Sequence, residues 1–274
     1  MRVIGVLDLA GGKAVHARRG DRARYAPVGM AAGCTIDGDA IALARTYVDR
    51  LGLTELYAAD LDVIGAQPRS RESGDLPNRL THETLITSIA TIAPLWLDAA
   101  ISSPARARHA IALGATRAIV GLETLESFDA LSAICAALGN ARSSSADPLR
   151  GICPTVAFSL DLRDGVPIAP QLNIPSDKPG DLAARAVDAG VNAVIVLDLA
   201  RVGEATGPDV AAIERVRASA PGTTLIAGGG IRDLADLVRL AEAGCDGALV
   251  ATALHHGRLG VDDIRGLGHV SESR

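Results

Sequence analysis

Two aspartates in this chain sit in the same short phrase. Val6-Leu7-Asp8-Leu9 runs into the turn Gly11-Gly12, and Ser159-Leu160-Asp161-Leu162 runs into Asp164-Gly165, at a constant spacing of 153 positions. A carboxyl at the end of an apolar strand is partly withdrawn from water, and withdrawal moves its pKa toward the range useful for general acid–base work. Two such groups in one pocket can take opposite roles, one as acid and one as base. A second feature carries binding chemistry: Ala227-Gly228-Gly229-Gly230-Ile231-Arg232-Asp233 follows an apolar strand and precedes a helix. Consecutive glycines bring backbone N–H groups close to an anion with no Cβ in the way. The next strand runs through Ala251 and Thr252 into a short helix whose N-terminus adds to the same place, so Gly228, Gly229, Gly230, Ala251 and Thr252 form a candidate phosphate site.

The elements that would position these groups repeat. Leu95 to Gly121 matches Leu225 to Ala251 at a spacing of 130, with Leu95/Leu225, Ile101/Ile231, Gly114/Gly244 and Val120/Val250 in register. Strands are expected at Val3–Leu9, Glu55–Asp60, Leu95–Ala99, Ala118–Gly121, Pro154–Asp161, Ala193–Leu199, Thr224–Ala227 and Gly247–Ala251. Amphipathic segments of helix length lie between them. Eight alternating units with an internal repeat predict an α/β fold, a (β/α)8 TIM barrel with pseudo-twofold half-barrels, rather than an open sheet. The half-barrels cover about 1–139 and 152–260, joined by a polar connector over 140–151, all within one domain of 274 residues. Gly52, Gly114, Gly139, Gly190 and Gly244 are expected to end helices as C-caps. In such barrels the loops after the strands carry the active site, which makes Gly11–Gly38, Gly65–Leu80 and Arg163–Pro179 candidate lids.

Composition narrows the partners. Hydrophobic residues are 48%, charged residues 22% and aromatics 2%, with a formal net charge of −5. That balance suits a core of Val, Ile, Leu and Ala and disfavours nucleic acid as a partner. No apolar stretch approaches membrane-span length and no signal h-region is present, so the expected setting is cytoplasmic. Cys34, Cys135, Cys153 and Cys245 are scattered and read as isolated thiols. The histidines do not fall into ligand spacing, and neither a metal nor a cofactor is expected. Asp60, Asp98, Glu123, Asp198 and Arg201 also lie at strand ends or just beyond and are secondary candidates. A strand-end Asp can equally be structural, holding the next turn through its N–H groups.

The chain resembles the histidine-biosynthesis barrel family. The residues that carry the resemblance are VLDLAGGKAV near the start, AADLD at 58–62, SLDLRDG at 159–165, VIVLDLARVG at 194–203 and AGGGIRDLADLVRLAEAGCDGALVATAL at 227–254. The resemblance implies an isomerase that performs an Amadori rearrangement of a phosphoribosyl aminoimidazole compound. It also implies roles: Asp8 as general base and Asp161 as general acid, with ring-oxygen protonation by Asp161, ring opening to an imine, and removal of the C2 proton by Asp8.

Two positions depart from that pattern. The family's isomerase binds a substrate with a phosphate at each end and has a second glycine-rich turn after strand 3, where this chain has Leu97-Asp98-Ala99-Ala100-Ile101. The family's Ser-Arg-Asp-Gly-Thr after strand 6 is Ala200-Arg201-Val202-Gly203-Glu204 here. These departures resemble an isomerase-related branch associated with tetrahydromethanopterin and one-carbon genes. Three readings stay open. The first is isomerase-type acid–base chemistry on a small phosphorylated metabolite held at one phosphate site. The second is the histidine-pathway isomerase itself, its far phosphate held by Arg18, Arg19 or Arg71. The third is a non-catalytic barrel that binds a phosphorylated ligand.

Overall fold

The computed structural model describes residues 1–66, 82–139, 155–172 and 178–270. Eight strands form its centre: β1 Arg2–Ala10, β2 Leu56–Asp60, β3 Leu95–Asp98, β4 Arg117–Gly121, β5 Thr155–Arg163, β6 Ala193–Asp198, β7 Thr224–Gly228 and β8 Gly247–Val250. Each pairs in parallel with the next, and β1 closes on β8 through Arg2↔Gly247 to Gly5↔Val250. The sheet is therefore a closed (β/α)8 barrel. Closure leaves no unpaired edge among these strands.

The helices α1 Ala40–Arg45, α2 Glu83–Ala90, α3 Pro104–Ala112, α4 Phe128–Gly139, α5 Pro179–Asp188, α6 Val210–Ser219, α7 Leu234–Glu242 and α8 Val261–Val270 follow the eight strands in turn. Their ends obey local chemistry. Asp39 caps α1 by accepting the Ile41 and Ala42 N–H groups at 2.8 and 3.0 Å, and Ser103 caps α3, with Pro104 in its first turn. Gly52, Gly114, Gly190 and Gly244 have φ of 71°, 97°, 101° and 92°, the left-handed conformation of a C-cap. Gly139 differs from expectation: it is the last residue of α4 and keeps a negative φ. The loops hold extra pairing as well. Past the Gly11-Gly12 turn the chain runs back antiparallel to β1 as Lys13–His16, and Val166–Pro167 pairs back onto β5. The connector over 140–151, most of the excursion after β2, Arg71 and Cys153 lie outside the described residues.

Strand pleat sorts the side chains. Ile4, Tyr57, Trp96, Ile119, Ala157, Ala193, Ile195, Ile226 and Leu249 form one cluster inside the barrel, while the other faces of the same strands pack against the helices. The composition predicts an aliphatic core, and most of it is aliphatic. Yet four of the six aromatic residues, Tyr47, Tyr57, Trp96 and Phe158, are also buried, because large rings fill space the short aliphatics leave. Trp96 seals the floor: its Nε1–H donates to Glu55 at 3.2 Å and the Arg117 guanidinium lies 4.0 Å from its ring centre. Trp96→Ala should cost about 3–5 kcal/mol of stability, read by urea denaturation, since the closed barrel cannot collapse onto the void.

Candidate active site

A cavity of about 680 Å³ opens at the C-terminal ends of the strands. The pleat decides which carboxyls reach it. In β1, Ile4 points inward, so Asp8, four residues on, points inward too. Asp98 follows Trp96 by two in β3, and Asp161 follows Ala157 by four in β5. All three line the cavity, together with Glu123 from the turn after β4. Asp60 and Asp198 sit one residue off this parity and face away from it. Asp60 is fully buried, caps the short helix Leu61–Gly65 through the Val63 N–H and accepts His82 Nδ1–H at 2.9 Å. Asp198 accepts the Asp164 and Ala200 N–H groups and pairs with Arg201 Nε at 3.3 Å, while Arg201 Nη1 donates to the Gly207 carbonyl. These three secondary candidates hold loops outside the cavity wall. Arg18 and Arg19 also lie outside it.

The inward carboxyls are desolvated and feel one another. Burial, with the charge of Asp98 second, pushes Asp8 up to about 7. Asp98 is pushed to about 7 by burial, against the opposing hydrogen bond from Tyr57 Oη, which donates at 3.2 Å. Asp161 is pushed to about 8 by burial, although Ser159 Oγ donates to it at 2.7 Å and the Glu123 N–H at 3.4 Å. Near neutral pH such a group can hold a proton or release one. No motif marks Tyr57, and Ser159 is legible only as the first residue of the phrase around Asp161, although both lie at inward positions on their strands.

Across from β3 and β4 the cavity is lined by Gly229, Gly230, Ile231, Val250, Ala251 and Thr252. Gly228, the last residue of β7, does not itself line the cavity. The glycines are required by packing as much as by ligand access. A Cβ on Gly229 would meet the Asp198 carbonyl at 2.6 Å, and one on Gly230 the Gly207 carbonyl at 2.6 Å, with φ of +94° and +78°. His16 reaches the same wall across 236 positions of sequence, its Nε2 lying 2.9 Å from Thr252 Oγ1. Behind it the buried His255 ring meets His16 edge-on, and its Nε2 lies 2.7 Å from Tyr47 Oη. Burial lowers the pKa of both imidazoles, to about 3 for His255, so both rings are neutral near pH 7. Cys135 and Cys245 are pushed up to about 11 and about 12 by burial, which keeps them as unreactive thiols.

Residues 2–260 match the family model described as "Histidine biosynthesis protein". The chain belongs to that family. Two relatives from Thermus thermophilus strains are 31% and 32% identical over 94% of this chain and 96% of their own length. A relative from Roseiflexus is 27% identical over 96% of this chain and 98% of its own. All three are named isomerases of an imidazole-4-carboxamide that carries a 5-phosphoribosyl group and a 5-phosphoribosylamino-methylideneamino group. Among the described residues no helix is long and apolar enough to cross a membrane.

Raised carboxyl pKa values make stability depend on pH in a defined direction. Asp8, Asp98 and Asp161 bind protons more tightly folded than unfolded. Their contribution is complete below about pH 4 and is lost as pH rises through about 7 to 8. The melting temperature should therefore fall between about pH 5 and pH 8.5. Asp98→Asn should flatten part of that fall by removing one of the three charges, as scanning calorimetry across this range would show.

Proposed function

We propose that this chain is an aldose–ketose isomerase of the kind its relatives are named for, with Asp161 as the acid and Asp8 as the base. One observation carries the reading: the two carboxyls project from β1 and β5 into a single cavity, where burial pushes them up to about 7 and about 8. The substrate's phosphoribosylamino end would rest its phosphate on the loops after β7 and β8, at Gly229, Gly230, Ala251 and Thr252, with His16 orienting the Thr252 hydroxyl. Asp161 then passes its proton to the furanose ring oxygen as the C1–O bond breaks, giving an imine. Asp8, ionised, removes the C2 proton, and the enolamine tautomerises to the aminoketose. No atom is gained or lost.

Family membership across nearly the whole chain and the names of the relatives support the histidine-pathway substrate over an unrelated phosphorylated metabolite. They also weigh against a purely ligand-binding barrel, which has no use for a pair of desolvated carboxyls. The partner implied is a small phosphorylated molecule.

Asp8→Asn and Asp161→Asn should each lower kcat by about 10²–10⁴-fold on the relatives' substrate, while binding of ribose 5-phosphate is kept. The wild-type pH–rate profile should be bell-shaped, with limbs at about 7 for the base and about 8 for the acid. Either variant retaining wild-type kcat would remove that residue from the mechanism, and rescue of an isomerase-deficient histidine auxotroph reports on the substrate assignment.

A further inference from the structure

The internal repeat makes the two ends of the cavity directly comparable. At the spacing of 130, Gly228, Gly229 and Gly230 correspond to Asp98, Ala99 and Ala100, and Ala251 and Thr252 correspond to Gly121 and Leu122. Both sets follow equivalent strand pairs, β7 with β8 and β3 with β4. Of the first set Gly229, Gly230, Ala251 and Thr252 line the cavity, and of the second only Asp98 and Gly121 do.

Three contacts close the second. Asp98 puts a carboxyl on the cavity wall at the position of Gly228, held there by Tyr57 Oη at 3.2 Å. Asp161 fills the space beside Gly121, where a Cβ would meet its Oδ2 at 3.2 Å, and the Glu123 N–H that could have faced a ligand donates to that same oxygen at 3.4 Å. Ala99 and Ala100 are fully buried, and Ala100, at φ +51°, turns its carbonyl onto Arg106 Nη1 at 2.9 Å. Protonated or not, the Asp98 carboxyl fills the space that glycine leaves open at the matching position of the other loop, and once ionised it offers acceptors only, so it repels a phosphate and attracts donors.

We infer that Asp98 is a specificity-determining residue that makes this cavity a single-phosphate site: the ligand's phosphate rests on the β7 and β8 loops, and the end reaching β3 and β4 carries hydroxyl, amine or amide donors. The identity of the reacting group rests on the isomerase reading above; closure of the second anion site does not. For the relatives' doubly phosphoribosylated substrate, the phosphate remote from the isomerised sugar then contributes nothing. Its removal should leave kcat/KM unchanged or higher, whereas removal of the phosphate on the reacting sugar should lower it by at least about tenfold.

Backbone amide shifts in a titration of the intact protein with inorganic phosphate decide the matter without reference to activity. Shifts are expected at Gly229, Gly230, Ala251 and Thr252 and not at Ala99, Ala100 or Leu122. The variant D98G/A99G/A100G should gain shifts at positions 98–101, and the wild-type map stands on its own if that variant does not fold. Wild-type shifts at both loops would overturn the inference. Shifts at neither would overturn it together with the phosphate seat, while the acid–base roles of Asp8 and Asp161 would still be judged by the turnover of their Asn variants.

Discussion

The two-residue alternation of the strands, locked by closure of β1 on β8, decides nearly everything at this site. Once Arg2 to Gly5 are registered on Gly247 to Val250, every second side chain of every strand is committed to the interior. Below, those positions hold Ile4, Trp96 and Ile226, which exclude water. Above, the same rows end in Asp8, Asp98 and Asp161. The apolar layer beneath them is what desolvates the carboxyls, and desolvation is the largest cause of each raised pKa. Chemistry and packing here are two ends of one set of rows.

The two halves share that frame and use it differently. In the second half the strand ends carry glycines whose neighbours pack so closely that no Cβ fits, and the loop they form walls the cavity without a carboxyl. In the first half the equivalent positions carry Asp98 and two buried alanines, and Asp161 leans onto Gly121. Asp98 and Glu123 thus stand at the β3 and β4 end and backbone at the β7 and β8 end, with Asp8 on β1 and Asp161 on β5 between them. A ligand crossing this cavity meets a gradient, which orients it before any side chain reacts.

Much of this arrangement is legible in the order of residues alone. Alternation of apolar runs and amphipathic segments, with the repeat at 130, is enough to place all eight strands within a few residues and helical segments between them. Asp8, Asp98, Asp161 and Glu123 are legible as strand-end and turn acids. Which strand-end acids face the cavity is not. A parallel barrel strand is buried on both faces, so Leu56-Tyr57-Ala58-Ala59-Asp60 reads as one apolar run with no polar alternation to mark the inward side. Asp60 and Asp198 therefore look equivalent to Asp8 in sequence, although they bind His82 and Arg201 outside the cavity. The His16–Thr252 contact carries no local signal at all, because the antiparallel return of Lys13–His16 meets Thr252 only when the barrel brings β1 beside β8.

Acid–base transfer here requires cavity aspartates that hold protons near neutral pH. Carboxyl-selective ¹³C NMR on protein labelled at the aspartate side-chain carbon, titrated from about pH 3 to pH 9 to span the ordinary and the raised carboxyl range, measures their protonation directly. Three aspartate signals, lost one at a time in Asp8→Asn, Asp98→Asn and Asp161→Asn, should titrate at about 7, about 7 and about 8. If all three instead titrate below about 5, with ordinary aspartates, the pair is not poised for acid–base transfer and the proposed roles are contradicted.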